Sequence, residues 1–277
     1  DIPGMKAGVI TGDVAWNLLR FAKAKGFAIP AFNCTTSSSV NAVLEAGAKI
    51  GRPVMIQFSE GGSAFFCGKA IENKKKEASI LGAVAGAHYT RNISPAYGVP
   101  CFVQSDHCTK QLLPWLDGML VADKEYFEVY KEPLFTCHSL DLSEEPLSDN
   151  VGTCAEYFKK LATMNLILEM KVGKEKFCAT PQDLKMVWDK LSPISEKFTI
   201  AAGFGNVYGV SKPGELKLWP DLLDSFQKDL GPKVGAEKPY FFVFDGGSGS
   251  EKKDIDTAVS FGVVKMNVDT DTQWAYW

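Results

Sequence analysis

The stretch FVFDGGSGS, residues 242–250, runs an apolar strand into a glycine-rich turn. Such a turn offers backbone N–H groups to an anion, and a helix after it adds the positive end of its dipole. Asp245 stands at the mouth of this turn, a negative charge where a negative ligand should sit. A second chemical pair, Asp106-His107, closes the apolar run PCFVQSDH at 100–107. A carboxylate can carry a proton, and an imidazole beside it can ligate a metal. The chain has only three histidines. His88 lies inside the helical pattern AGAHYT and is expected to pack, and His138 lies within LFTCHSLDL and suits either core or site. A catalytic zinc needs about three protein ligands, and only His107 has a ligand's address.

Other polar residues close other apolar runs: Asn33, Ser59, Asp141, Glu169 with Lys171, Asn206 and Asn267 with Asp269. Each alone reads as a loop cap. Together they outline a ligand site. GFGNVYGVSKPG, DGGSGS and NVDTDT are the segments suited to a phosphoryl group. Gly209, Ser211, Gly246, Ser248, Asp269 and Thr270 would supply N–H, hydroxyl and orienting groups, with Lys212 as counter-charge. Glycines needed only for tight turns are the plainer reading of the same letters.

These residues need strands to hold them, and the chain alternates strand-like and helix-like patterns throughout. The apolar runs are FAIPAFNC, PVMIQFS, PCFVQSDH, LFTCHSLDL, LILEMKV, FTIAAGFG, YFFVFDGG and GVVKMNVDT. Helical patterns separate them, among them SSSVNAVLEAGAKIG with a serine start and PQDLKMVWDKLS with Pro181 near its start. Strands alternating with helices imply βαβ units and a parallel sheet. Eight such units in one domain spanning 1–277 predict a (β/α)8 TIM barrel, with an open doubly wound sheet as the competitor. In a barrel, the polar strand ends all belong to the catalytic face, and phosphate commonly binds after the seventh and eighth strands. The lysines at 74–76 predict a solvated loop edge. The chain stops at Trp277, where an eighth helix would begin, so the expected barrel lacks its final helix region and exposes strand-8 wall to a partner subunit.

Composition narrows the partners. With 45% hydrophobic residues among 277, a large core can form. A net charge of −3 disfavours nucleic acid or an anionic membrane as the main partner. No apolar run approaches the roughly 20 residues of a membrane span, and no secretory signal pattern is present. The seven cysteines (34, 67, 101, 108, 137, 154, 178) are scattered without a C-x-x-C, which predicts buried thiols in an intracellular, reducing compartment.

Several segments together resemble the class II, metal-dependent fructose-1,6-bisphosphate aldolases. They are PGMKAGVITGD, PAFNC, VNAVLEAGAK, IQFSEGG, SDHCTKQLLPWLDG, HSLDLSEE, FGNVYGVSKPG, FVFDGGSGS and VVKMNVDTDTQWAYW. The resemblance implies a TIM barrel that cleaves a ketose bisphosphate into dihydroxyacetone phosphate and glyceraldehyde 3-phosphate. It also implies a zinc ion, held by three histidines, that polarises the ketone. The first of these falls on His107. The second, in FGNVxGV, falls on Tyr208, and the third, in FVFxGGSGS, falls on Asp245. Asp141 lies among the metal-side residues. Where the family carries a second acidic metal-site residue after LE, this chain has Lys171, and the glutamate-bearing loop that follows in the family is missing between LEMKVG and TPQDL. Asp106 matches the acid/base at the C4 hydroxyl. Asn33, Ser59 and Asn267 match substrate-side positions, and Gly209, Ser211, Lys212, Gly246, Gly247, Ser248, Asp269 and Thr270 match the first phosphate cradle.

From these substitutions the expectation is a member with a degraded zinc site and no cofactor. Catalysis would be lost, and the chain would act as a structural or accessory subunit that still binds a sugar phosphate or inorganic phosphate. The alternative is an active aldolase, an aldehyde-lyase of glycolysis and gluconeogenesis, with zinc. Lys171 is expected to pair with Asp245 or Asp106 and to stand in electrostatically for the metal. A Schiff base on Lys171 is a third, minor reading.

Overall fold

The structure is a computed structural model and describes residues 2–173, 178–205 and 218–276. The strands are β1 Gly8–Val9, β2 Ile29–Asn33, β3 Val54–Phe58, β4 Pro100–Cys108, β5 Cys137–Leu140, β6 Ile167–Val172, β7 Phe198–Ala202, β8 Phe242–Phe244 and β9 Val263–Val268. They are hydrogen-bonded in the order β1-β4-β3-β2-β9-β8-β7-β6-β5, and β4 also pairs with β5. Eight strands thus form the closed parallel barrel of a (β/α)8 fold, and β1 is an addition alongside β4. The open doubly wound sheet is excluded. Among the described residues no helix is long and apolar enough to cross a membrane.

The helices are α1 Gly12–Lys25, α2 Ser37–Ile50, α3 Glu60–Phe66, α4 Glu77–Ile93, α5 Leu113–Tyr130, α6 Leu147–Thr163, α7 Pro181–Leu191, α8 Asp221–Val234, α9 Lys252–Ser260 and α10 Thr270–Tyr276. Local chemistry sets their ends. Thr36 accepts from the Ser39 amide while the Ser39 side chain closes back on Thr36, a capping box that starts α2. Gly51, at φ 62°, ends it in the left-handed region. Thr180 and Asp183 make the same box ahead of α7, with Pro181 at its first turn.

Three elements differ from the sequence expectation. α1 was not anticipated. α3 lies in the glycine-rich stretch EGGSAFF, where the sequence shows no helical pattern. α10 follows the last strand, so a helical turn begins where the chain was expected to stop before one. The lysine run is only partly a solvated edge. Lys74 is exposed, but Lys76 lies 3.2 Å from Glu60 Oε1, which also accepts from Ser79 and Asn73.

The residues group into two compact units. The first comprises Asp1–Leu18, Ala31–Asp141 and Lys160–Leu168, and so holds β1, β2 from Ala31 onward, and β3 to β5. Here β3 sits between β2 and β4, with Asn33 opposite Gln57 and Phe58 opposite Ser105. Its core includes Trp16, Phe58, Phe102, Trp115 and Phe135, all below 2% exposed. The second comprises Leu19–Pro30, Leu142–Lys159 and Glu169–Trp277. In it β8 sits between β7 and β9, and Phe158, Phe204, Phe226, Tyr240 and Phe242 fill the core.

Candidate active site

β4 carries the first cluster. Along most of β4 successive residues are fully buried, which pins the strand between its neighbours. Near its end the pairing with β5 slips between Ser105 and Cys108, and His107 takes a φ of +45°. That conformation is costly for a non-glycine residue and, with the bulge, turns the two side chains of Asp106 and His107 away from simple strand alternation. Asp106 is 5% exposed. Its Oδ2 accepts from Asn33 Nδ2 at 2.8 Å, and Asn33 Oδ1 accepts from Gln57 Nε2 at 2.6 Å. Asp106 Oδ1 lies 3.6 Å from His107 Nε2. His107 Nδ1 is 3.0 Å from Asp141 Oδ2. A carboxylate on one ring nitrogen fixes the ring and sets the other, Nε2, beside Asp106, an arrangement suited to a histidine that ligates or shuttles. Asn33, Asp106, His107 and Asp141 are therefore brought together as expected. Gln57 was not anticipated, although its pairing opposite Asn33 is what the strand register requires.

Behind this cluster lies a buried relay. Ser105 Oγ is 2.8 Å from His138 Nδ1, and His138 Nε2 is 2.7 Å from Asp123 Oδ2. The other Asp123 oxygen accepts from the Phe135 amide at 2.8 Å. Ser105, His138 and Asp123 are all 0% exposed. A serine–histidine–aspartate set sealed from solvent cannot meet a substrate, so His138 is core. His88 also packs, with its ring centroid 5.8 Å from that of Tyr126. Burial and the nearby Arg91 hold its pKa below the ordinary histidine value. Ser59, expected on the substrate side, lies at the end of β3. Its Oγ accepts from the Gly62 amide and caps α3.

The second unit holds the other cluster, built on β6, β8 and β9. Glu169 and Lys171 are two apart on β6, and Lys265 and Asn267 are two apart on β9, so each pair shares a strand face. Lys265 Nζ donates to Glu169 Oε2 at 2.6 Å. Lys171 Nζ lies 3.7 Å from Asp245 Oδ2, and Asn267 Nδ2 donates to Asp245 Oδ1 at 3.0 Å. The turn after β8 then unfolds as a glycine loop. Gly246 has φ 73° and Gly249 φ 74°. A Cβ on Gly247 would come within 2.6 Å of Met266, and its N–H donates to the Asn267 carbonyl at 3.1 Å. Ser248 Oγ accepts from the Asp271 amide at 3.3 Å. The carbonyl and carboxylate of Asp269 accept from Gln273 one turn later, at 2.9 and 3.0 Å, and Thr270 opens α10. Asn206, Tyr208, Gly209, Ser211 and Lys212 lie outside the described residues.

The chemistry of the donors decides what a metal would meet. His107 is oriented as a ligand. Asp245 is not a vacant donor, because an ammonium lies within 4 Å of it and opposes a divalent cation. The described residues do not fit a three-histidine zinc, and no step below is routed through one.

The class-II fructose-bisphosphate aldolase family model matches residues 14–277. The chain is 48% identical over its whole length to a fructose-bisphosphate aldolase 1 of Paracoccidioides lutzii, of which it covers 81%. It is 47% identical to the fructose-bisphosphate aldolase of Saccharomyces cerevisiae, covering 98% of this chain and 80% of that one. It is similar to the crystal structure of the Campylobacter jejuni fructose-bisphosphate aldolase, with a TM-score of 0.91 at 46% identity over 99% of this chain and 80% of that one. These relatives overturn the expectation of a chain without catalysis serving as a structural subunit. Similarity is sustained across nearly all of the chain, and the proteins that share it are named for the activity. Tyr208 and Asp245 at two ligand positions do not outweigh similarity of that extent. The chain belongs to the class-II fructose-bisphosphate aldolase family.

Proposed function

We propose that the chain is an aldehyde-lyase that cleaves fructose 1,6-bisphosphate to dihydroxyacetone phosphate and glyceraldehyde 3-phosphate. One observation carries the reading: Asp106, a buried carboxylate held by Asn33 and set beside His107. In the cleavage direction the C4 hydroxyl loses its proton and becomes the aldehyde carbonyl, the C3–C4 electron pair passes into the enediolate of dihydroxyacetone phosphate, and C3 then takes a proton from water. Asp106 is the group that takes the C4 hydroxyl proton, and in condensation gives it back. Asn33 and Gln57 keep the accepting oxygen in one orientation, so little reorganisation is needed as the proton moves. His107, braced by Asp141, lines the same end of β4. Among the described residues, His107 is the one oriented as a metal ligand would be.

Phosphate recognition is assigned to the turn after β8. At Gly246 no Cβ keeps an anion from the backbone, Ser248 adds a hydroxyl, and Thr270 stands at the start of α10. Incubation with fructose 1,6-bisphosphate, followed by phosphorus NMR with and without added Zn²⁺, tests the reading. The expected outcome is two triose phosphate signals at the expense of the hexose. An unchanged hexose spectrum under both conditions refutes it.

A further inference from the structure

The second unit contains a buried charge set that aldol cleavage as described above does not use. Glu169, Lys171, Asp245, Lys265 and Asn267 are each 5% exposed or less. Buried carboxylates are stable as ions only where positive charge and hydrogen bonds replace water. Glu169 obtains its cation from Lys265 at 2.6 Å, and Asp245 obtains one from Lys171 at 3.7 Å, with Asn267 donating to its other oxygen. Both cations are covalently part of the chain. A divalent ion bound to Asp245 would have to sit within a few ångströms of the Lys171 ammonium, in a setting that screens repulsion poorly.

We propose that Lys171 is the built-in cation of this cluster, and that the chain holds no divalent metal on Asp245. The ammonium takes the place that a metal dication would take in neutralising that carboxylate. Removing the ammonium while leaving Asp245 takes a positive charge away from a buried carboxylate, and a dication can then replace it. The inference rests on the aldolase reading only where turnover is measured.

The metal-stripped full chain is titrated with Co²⁺, followed by its visible ligand-field absorption. Four forms are compared with the wild type: Lys171→Met, Lys171→Arg, Asp245→Asn and the double variant Lys171→Met/Asp245→Asn. In wild type, any Co²⁺ response is expected to be unchanged by Asp245→Asn. Lys171→Met is expected to bind Co²⁺ at least about 100-fold tighter than wild type, and the double variant to lose that gain. Lys171→Arg keeps the charge and is expected to behave as wild type. Wild-type Co²⁺ binding that weakens about 100-fold in Asp245→Asn overturns the proposal, as does a Lys171→Met form that folds and gains no affinity. If Lys171→Met does not fold, as judged by circular dichroism, the wild type and Asp245→Asn comparison alone decides. Turnover separates the two readings. Cleavage that EDTA abolishes and Zn²⁺ restores in wild type but not in Asp245→Asn also overturns this inference. No cleavage under any metal condition refutes the aldolase reading and leaves the Co²⁺ titration to decide this one.

Discussion

Asp106 is fixed from one side by Asn33 and approached on the other by His107, so its reactivity depends on neighbours as much as on itself. Asn33→Ala removes the donor at 2.8 Å and frees the carboxylate to rotate. We expect kcat for aldol cleavage to fall by about tenfold or more with a smaller change in KM, because orientation and not binding is lost. Steady-state kinetics checks this, and a raised KM with kcat unchanged would mean that Asn33 serves binding. His138 has a different job. Its two ring nitrogens meet Ser105 and Asp123 in a fully buried setting. Replacing it with leucine strands the Asp123 carboxylate in the core, at an expected cost of about 3–5 kcal/mol. Denaturant unfolding measures it, and a loss within the range of an ordinary surface change contradicts the relay. From sequence alone His138 read equally as core or site. Only the pairing of Ser105 with His138 across β4 and β5 decides between them.

At the scale of elements, α3 shows where sequence patterns stop being informative. EGGSAFF has two adjacent glycines, poor helix formers, and no apolar period. It is helical because Ser59 caps it and because α4 lies against it without a side chain in between. A Cβ at Gly82 would sit 1.7 Å from the Ser63 carbonyl oxygen. Gly82→Ala must therefore push the two helices apart. The expected loss is about 1–3 kcal/mol, with hydrogen-exchange protection falling first in α3. Wild-type protection there would show that the contact is not tight. By contrast α2 and α7 were legible, since serine, threonine and proline mark their starts. Strands were legible in order but too long in extent. LFTCHSLDL contains only Cys137–Leu140 as ladder, because Leu134 and Phe135 are buried by packing and not by pairing.

For the molecule as a whole, eight apolar runs separated by helices were enough to give the barrel, because parallel strands must be joined by crossovers. Which residues meet was less legible, since Asn33, Asp106 and Asp141 are spread over more than a hundred positions. The β4 cluster was nevertheless anticipated from strand ends. Function was less legible, because Tyr208, Asp245 and Lys171 argue against a zinc aldolase while the family match extends over residues 14–277. The proposed function requires that this chain, with Asp245 and Lys171 as they stand, cleave its substrate through Asp106. The most direct test is release of dihydroxyacetone phosphate from fructose 1,6-bisphosphate by the purified full chain and by Asp106→Asn. The asparagine can still accept from Asn33, so its melting temperature should stay near wild type. The account predicts measurable turnover in wild type and a fall in kcat of about 10²- to 10⁴-fold in the variant. Wild type that releases no triose phosphate, or a folded Asp106→Asn that turns over at the wild-type rate, contradicts it.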